Sequence, residues 1–330
     1  MEAALDIRRW EEKPAGVMYR RWVITSNGLQ QLMKLRVFKG LLVVAWIAGI
    51  LLAAAGFLFT QTLASGGWLE NWAIGMGPRA HAVVSAFCSM VLLYPDICIH
   101  GLFSTLFWWH SMLGLGLSMV ALSVVLPRLV ARDRASNALT IYLSRPLTSY
   151  DYLLGKFGII LGILVLLWTG PLLFGWLLSM AFAPNTDFFV YSLTALGRAL
   201  LFNVISLITL SSIALGISSL GKNARAVTAI WMGTWLIIGG IANIPSTPNY
   251  VRALSFSHDL KDVRQEIFKL DEILEKASES LPMVKPEWLK GFQEAQRQID
   301  YNRDAKASAV GLVVLVIASS FVFARRLRPE

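Results

Sequence analysis

The sequence predicts an all-α integral membrane protein with six transmembrane helices, an N-terminal interfacial helix, a cytoplasmic coupling helix and an extracytoplasmic helical hairpin. Three observations carry that prediction. Of 330 residues, 55% are hydrophobic and 15% charged, too apolar a balance for a soluble chain of this length. Six segments are long and apolar enough to cross a hydrocarbon core of about 30 Å as helices. The Lys and Arg residues, finally, gather in alternate loops, as topology requires.

The chain divides into four stretches. Residues 1–39 form a cytoplasmic N-terminus in which Leu29, Leu32, Met33, Arg36 and Val37 recur at helical spacing between Ser26 and Lys39, with Gln30, Gln31 and Lys34 on other faces. A basic amphipathic helix of that kind lies in the headgroup plane, where its cations favour anionic membrane lipid. The first apolar run starts only at Gly40, after this charged segment, which is not the pattern of a cleavable signal peptide.

Residues 40–243 hold the first five spans: Gly40–Thr60, Ser104–Leu126, Phe157–Met180, Leu193–Leu220 and Ala226–Asn243. Each must be helical, because lipid offers no partner to backbone N–H and C=O groups. Ala82–Leu93 is apolar but short, and reads as a re-entrant or interfacial helix ahead of the second span. Thr169-Gly170-Pro171 predicts a kink in the third span, and Gly158 and Gly162 form a small-residue face there. The fourth span is unusually polar, with Asn203, Ser206, Thr209, Ser211 and Ser212, and with Arg198 placed to snorkel near its outer end.

Between the second and third spans, residues 127–156 break the apolar pattern. Leu129, Val130, Ala135, Ala138, Leu139 and Tyr142 make one stripe, and Arg132, Asp133, Arg134, Ser136 and Asn137 face away from it. Arg145-Pro146 ends that helix, since proline disfavours a helical residue before it. Thr148-Ser149-Tyr150-Asp151 then reads as a capping box that starts the helix of the third span. A short helix held at the mouth of two spans is a lever on which a soluble partner can act.

Residues 244–306 form the long outer loop. Leu260, Val263, Ile267, Leu270, Leu274, Ala277 and Leu281 follow steps of three and four, with Ser257 as a cap and Glu272 with Lys276 as an i,i+4 pair. Trp288, Leu289, Phe292, Ala295 and Ile299 make a second stripe. Two antiparallel helices over 257–301 would bury these faces on each other, leaving either a spacer packed on its own spans or a platform for an extracytoplasmic partner. Residues 307–330 contain the sixth span, Ala307–Ala324, and a short basic tail.

The net charge of +9 reflects topology and does not point to nucleic acid. Eight Lys/Arg precede Gly40, five lie between Pro127 and Lys156, two are Lys222 and Arg225, and three follow Ala324. The first two loops on the other side hold only Arg79, which predicts that both termini are cytoplasmic. The long loop carries ten Lys/Arg against eleven Asp/Glu, and loops of that length cross regardless of charge.

The segment ARDRASNALTIYLSRPLTSYDYLLGKF resembles the cytoplasmic loop of ABC-2 type permeases, the membrane subunits of bacterial ATP-binding-cassette exporters. The stretches ITSNGLQQLMKLRVFKGLLVVAW and LGISSLGKNARAVTAIWMGTW are similar to the same family's helix before the first span and its joint between the fourth and fifth. The resemblance implies a cell (inner) membrane location and a dimer with a second permease, identical or homologous. It also implies an ATP-binding-cassette ATPase subunit docked on the loop after the second span, and an export path involving the second and fifth spans, whose lining residues stay unassigned. On that basis Arg132, Asp133, Arg134, Ser144, Arg145 and Pro146 are the expected ATPase-coupling residues.

The residues themselves agree that any motor is separate. Neither Gly155-Lys156-Phe157 nor Gly221-Lys222-Asn223 fits the phosphate-cradling G-x-x-x-x-G-K-[ST] loop, so ATP and Mg would be bound by the partner and no cofactor by this chain. No catalytic motif appears, so the chain reads as a transport subunit and not an enzyme. His81, Cys88, Cys98, His100 and His110 cluster in sequence, but their spacing fits no closed zinc pattern, and no metal site is expected. A Cys88–Cys98 disulfide or two free thiols both remain open. The functional alternative is a non-transporting anchor that passes ATPase work to an extracytoplasmic partner.

Overall fold

The computed structural model describes residues 16–63, 67–129, 149–183, 185–221, 223–244, 246–281 and 304–326. Among them every regular element is a helix, and six helices are long and apolar enough to cross a membrane, as an all-α membrane protein requires. The spans are Arg36–Leu63, Pro95–Leu129, Tyr150–Ala181, Asp187–Leu220, Ala224–Ala242 and Ala305–Arg325. Most start or end several residues beyond their apolar runs, since a helix continues past the hydrocarbon wherever nothing in the chain breaks it. The second span begins at Pro95, nine residues before Ser104, because Pro is well tolerated in a first helical turn.

The fourth span is the axis of the bundle: 72% of its most apolar window is buried, against 17% for the fifth and sixth spans. It lies along the second and sixth spans, while the first runs along the third. The ends bearing Leu129, Ser149, Leu220 and Arg325 define one face of the bundle, called here the loop face; the other is the far face. Pro78–Leu93 is a 16-residue helix against the far end of the first span, where Phe87 meets Phe59, and it is shorter than each of the six candidate spans. Cys88 within it and Cys98 in the second span are both free thiols.

The third span departs from a plain proline kink. Val165–Thr169 is a π turn, in which the Gly170 amide donates to the Val165 carbonyl, and Gly170-Pro171 restarts the α-helix. The wider turn projects Trp168 onto Gly114 of the second span, where a Cβ would lie 2.6 Å from three atoms of the indole. His110 Nε2 sits 3.2 Å from the Trp168 carbonyl, and since a carbonyl only accepts, Nε2 carries the proton. A second π turn, Gly233–Ile238, follows Trp231 in the fifth span, whose indole donates to the Met119 carbonyl at 3.1 Å.

The first arm of the expected hairpin is built differently from a free coiled seam. The heptad run breaks at Lys269, which adopts a left-handed φ of 48°, so Phe256–Phe268 and Leu270–Ser280 are separate helices. Ser255 caps the first of them, not Ser257: its hydroxyl accepts from the His258 amide at 3.3 Å. Lys269 pairs with Glu272 at 3.0 Å, i,i+3, where the sequence suggested Glu272 with Lys276. The partner of helix 256–268 is the bundle itself. Phe256 stacks on Trp231 in the fifth span, Ser308 of the sixth donates to Asp262 at 3.0 Å, and Arg198 of the fourth donates to the Phe268 carbonyl at 3.0 Å. Arg198 thus closes a helix C-terminus, where a cation is favoured, and does not simply snorkel. The second arm, 282–303, lies outside the described residues.

Because Trp231 stands mid-way along its span, helix 256–268 starts deep and rises to the far face between the fourth, fifth and sixth spans. It carries Asp259, 2% exposed, whose Oδ2 has no hydrogen-bond partner. Burial pushes that carboxyl up to about 7 from 3.8, Asp262 adding to the rise and the Ser308 hydroxyl opposing it. A raised acid is protonated more readily folded than unfolded. Its contribution is therefore complete below 3.8 and is lost as pH climbs through about 7. The thermal midpoint in detergent is expected to fall across that window, and Asp259→Asn to flatten the fall; an unchanged slope in the variant would contradict this environment for Asp259.

Candidate functional site

The residues expected to couple an ATPase, Arg132, Asp133, Arg134, Ser144, Arg145 and Pro146, lie within 130–148, outside the described residues. What the structure shows is the frame on which that segment begins and ends. Its three parts are the end of the second span, the start of the third, and the helix Val17–Met33.

The second span is described as far as Leu129. Lys156 of the third span donates to the Leu129 carbonyl at 2.9 Å, and Ser218 of the fourth donates to the Leu126 carbonyl at 3.0 Å. A cation from the third span and a hydroxyl from the fourth so bond to carbonyls of the second. Lys156 rests over the ring of the buried Tyr152, 5.3 Å from its centroid, one turn earlier on the same helix.

The N-terminal helix starts at Val17, nine residues before the predicted Ser26, and ends at Met33 before a break at Lys34-Leu35. It is expected from the sequence to lie in the headgroup plane; in the structure it packs lengthwise on a small-residue face at the start of the third span. Gly155, Gly158 and Gly162 meet Ile24, Thr25 and Leu29 in turn, and Gly28 meets Ile159. A Cβ at Gly155 or Gly158 would come within 2.6 Å of Ile24 or Thr25. The face Gly158 and Gly162 make in the sequence is therefore a helix-docking surface, extended by Gly155. Thr25 donates to the Gly155 carbonyl at 3.2 Å, and Arg21 Nε donates to Asp151 Oδ1 at 2.7 Å. The Asp151 side chain is 4% exposed. Sequence reading placed Asp151 as a helix-start residue; its pairing with Arg21 has no sequence signal, because the two are 130 positions apart.

Among protein-family models none matches this chain, and no curated protein matches it either. The functional reading therefore rests on geometry. The described residues on either side of 130–148 belong to a frame in which three spans and one amphipathic helix share polar bonds. Met18, Tyr19 and Trp22 stay exposed on that helix, consistent with a lipid-facing side. Among the described residues no group of three or more His, Cys, Asp or Glu is placed to hold a metal ion.

Proposed function

We propose that this chain is the permease subunit of an ATP-binding-cassette transporter, pairing with a second permease and driven by a separate cytoplasmic ATPase. The observation that carries the reading is the frame at the loop face. A force applied to 130–148 passes directly to the second span through Leu129, to the third through Asp151 and Lys156, and to the N-terminal helix through Arg21. A solvated connecting loop would need no such ties. The exposed fifth span, only 17% buried over its most apolar window, leaves a surface for the second permease.

In this mechanism nucleotide-driven closure of the ATPase displaces the segment, and the second and third spans tilt as one body because their ends are bonded. The π turns at Val165–Thr169 and Gly233–Ile238 are the points at which the third and fifth spans can repack, since an i→i+5 turn is less regular than the flanking helix. The ATPase binds the ATP and Mg; this chain binds and moves.

Reversing charge at both Arg134 and Arg145 to Glu is expected to leave insertion intact and to reduce ATPase co-purification by at least about tenfold, as loss of interfacial charge pairs does. Co-purification and ATP hydrolysis equal to wild type would sink the lever assignment. Vesicles of the purified complex that hydrolyse ATP and move no cargo would favour the anchor reading instead. An impermeant thiol reagent labelling a cysteine at Ser136 in intact cells would place the loop on the wrong side.

A further inference from the structure

Helix 256–268 buries several polar side chains inside the bundle, and among the described residues one of them has no counter-charge. Arg264 is 5% exposed, its Nε has no hydrogen-bond partner, and no carboxylate forms an ion pair with it among the described residues. Its contact is the face of Trp108 in the second span, 4.8 Å from the guanidinium carbon to the ring centroid. The next residue, Gln265, accepts from the Trp108 indole N–H at 3.2 Å, which holds that ring in place under the guanidinium. Two consecutive side chains thus converge on one indole, and a buried, unpaired cation is costly enough that such groups are normally matched.

We propose that Arg264 binds the phosphodiester monoanion of a membrane amphiphile at the far face, with Trp108 as the floor of the site. The charge argues for a monoanion: one guanidinium balances one negative charge, and a dianion would leave an uncompensated charge in a low-dielectric site. The guanidinium fork matches two phosphate oxygens. Depth argues for a lipid. From Leu129 at the loop face to Trp108 is about 31 Å along the helix, about one hydrocarbon thickness, which sets Arg264 at headgroup level. Trp109, the next residue, is exposed on the outside of the bundle and marks the same level with an interfacial aromatic. This site is independent of what acts at the loop face.

The test titrates the full-length protein in non-ionic detergent with short-chain phosphatidylglycerol, inorganic phosphate and an uncharged diacylglycerol, following the thermal midpoint. A saturable rise with phosphatidylglycerol alone is expected. Arg264→Met should abolish that rise while melting higher than wild type without ligand, and Arg264→Lys should keep it with about tenfold weaker affinity, having charge without the fork. A Met variant that responds like wild type overturns the proposal. An equal rise with inorganic phosphate overturns the lipid assignment in favour of a soluble anion, and an equal rise with diacylglycerol reduces the effect to acyl-chain binding. Native mass spectrometry of the wild type needs no variant: one phosphatidylglycerol retained per chain in preference to phosphatidylcholine supports the site, and no preference refutes it.

Discussion

Gly175→Leu is expected to prise the first span from the third and to cost about 3 kcal/mol or more, at the upper end of overpacking penalties. A Cβ at Gly175 would lie 2.6 Å from the Gly49 carbonyl oxygen, and one at Gly49 would lie 2.7 Å from the Pro171 carbonyl oxygen. These neighbours are backbone, so no rotamer change can relieve the clash. At Gly158 the neighbour is the Thr25 side chain, which can turn away, and Gly158→Ala is expected to cost less. Gly116, with nothing within 4 Å of its Cβ position, is the control. Thermal unfolding in detergent should rank Gly175→Leu far below Gly116→Leu, and equal midpoints would mean the two spans are not in backbone contact.

Breaking the Arg21–Asp151 pair should have the second largest effect. Asp151 is buried and Arg21 is 33% exposed, so the pair falls between a surface bridge and a fully enclosed one. Removing Arg21 is expected to cost about 2 kcal/mol. Asp151 retains other partners, which limits the loss. Arg21→Ala should also loosen the N-terminal helix from the third span, visible as faster proteolysis near Val17–Met33. In a double-mutant cycle with Asp151→Asn the coupling should be about 1–2 kcal/mol. Additive single effects would show that the glycine face alone docks the helix. If the proposed function holds, Arg21→Ala should lower transport per ATP hydrolysed more than it lowers ATP hydrolysis, because the frame yields before the spans move.

The two variants probe different ties of one frame, and their sequence signals differ in kind. Gly158 and Gly162 stand out as a small-residue pair at helical spacing, so a close contact was legible, though not its partner. Gly49 and Gly175 are single glycines in apolar runs and carry no such mark. Asp151 was readable as a helix-start charge and Arg21 only as one of the basic residues before the first span, and nothing local links residues 130 positions apart. The coupling residues between Arg132 and Pro146 were named from local pattern and from resemblance, and their placement lies outside the described residues.

Helix 256–268 shows the opposite case, where local pattern suggested a different partner. Of its three- and four-residue steps, Leu260 and Val263 are buried and Ile267 is half-buried. Periodicity states which face is apolar and says nothing about what covers it. Here the spans cover it, and they also enclose Asp259, Asp262 and Arg264, residues that composition alone would leave in water.

The sequence by itself determined that six helices cross the membrane, in which order, and where polar chain interrupts them. Each of those facts follows from the cost of exposing backbone or charge to lipid, a cost paid residue by residue. Only the tertiary structure decided that the N-terminal helix docks on the third span, that Trp168 and Trp231 reach across to the second, and that a buried arginine lies against Trp108. Those outcomes depend on which surfaces meet once the spans assemble. Meeting surfaces are a property of pairs far apart in the chain, which no local window contains.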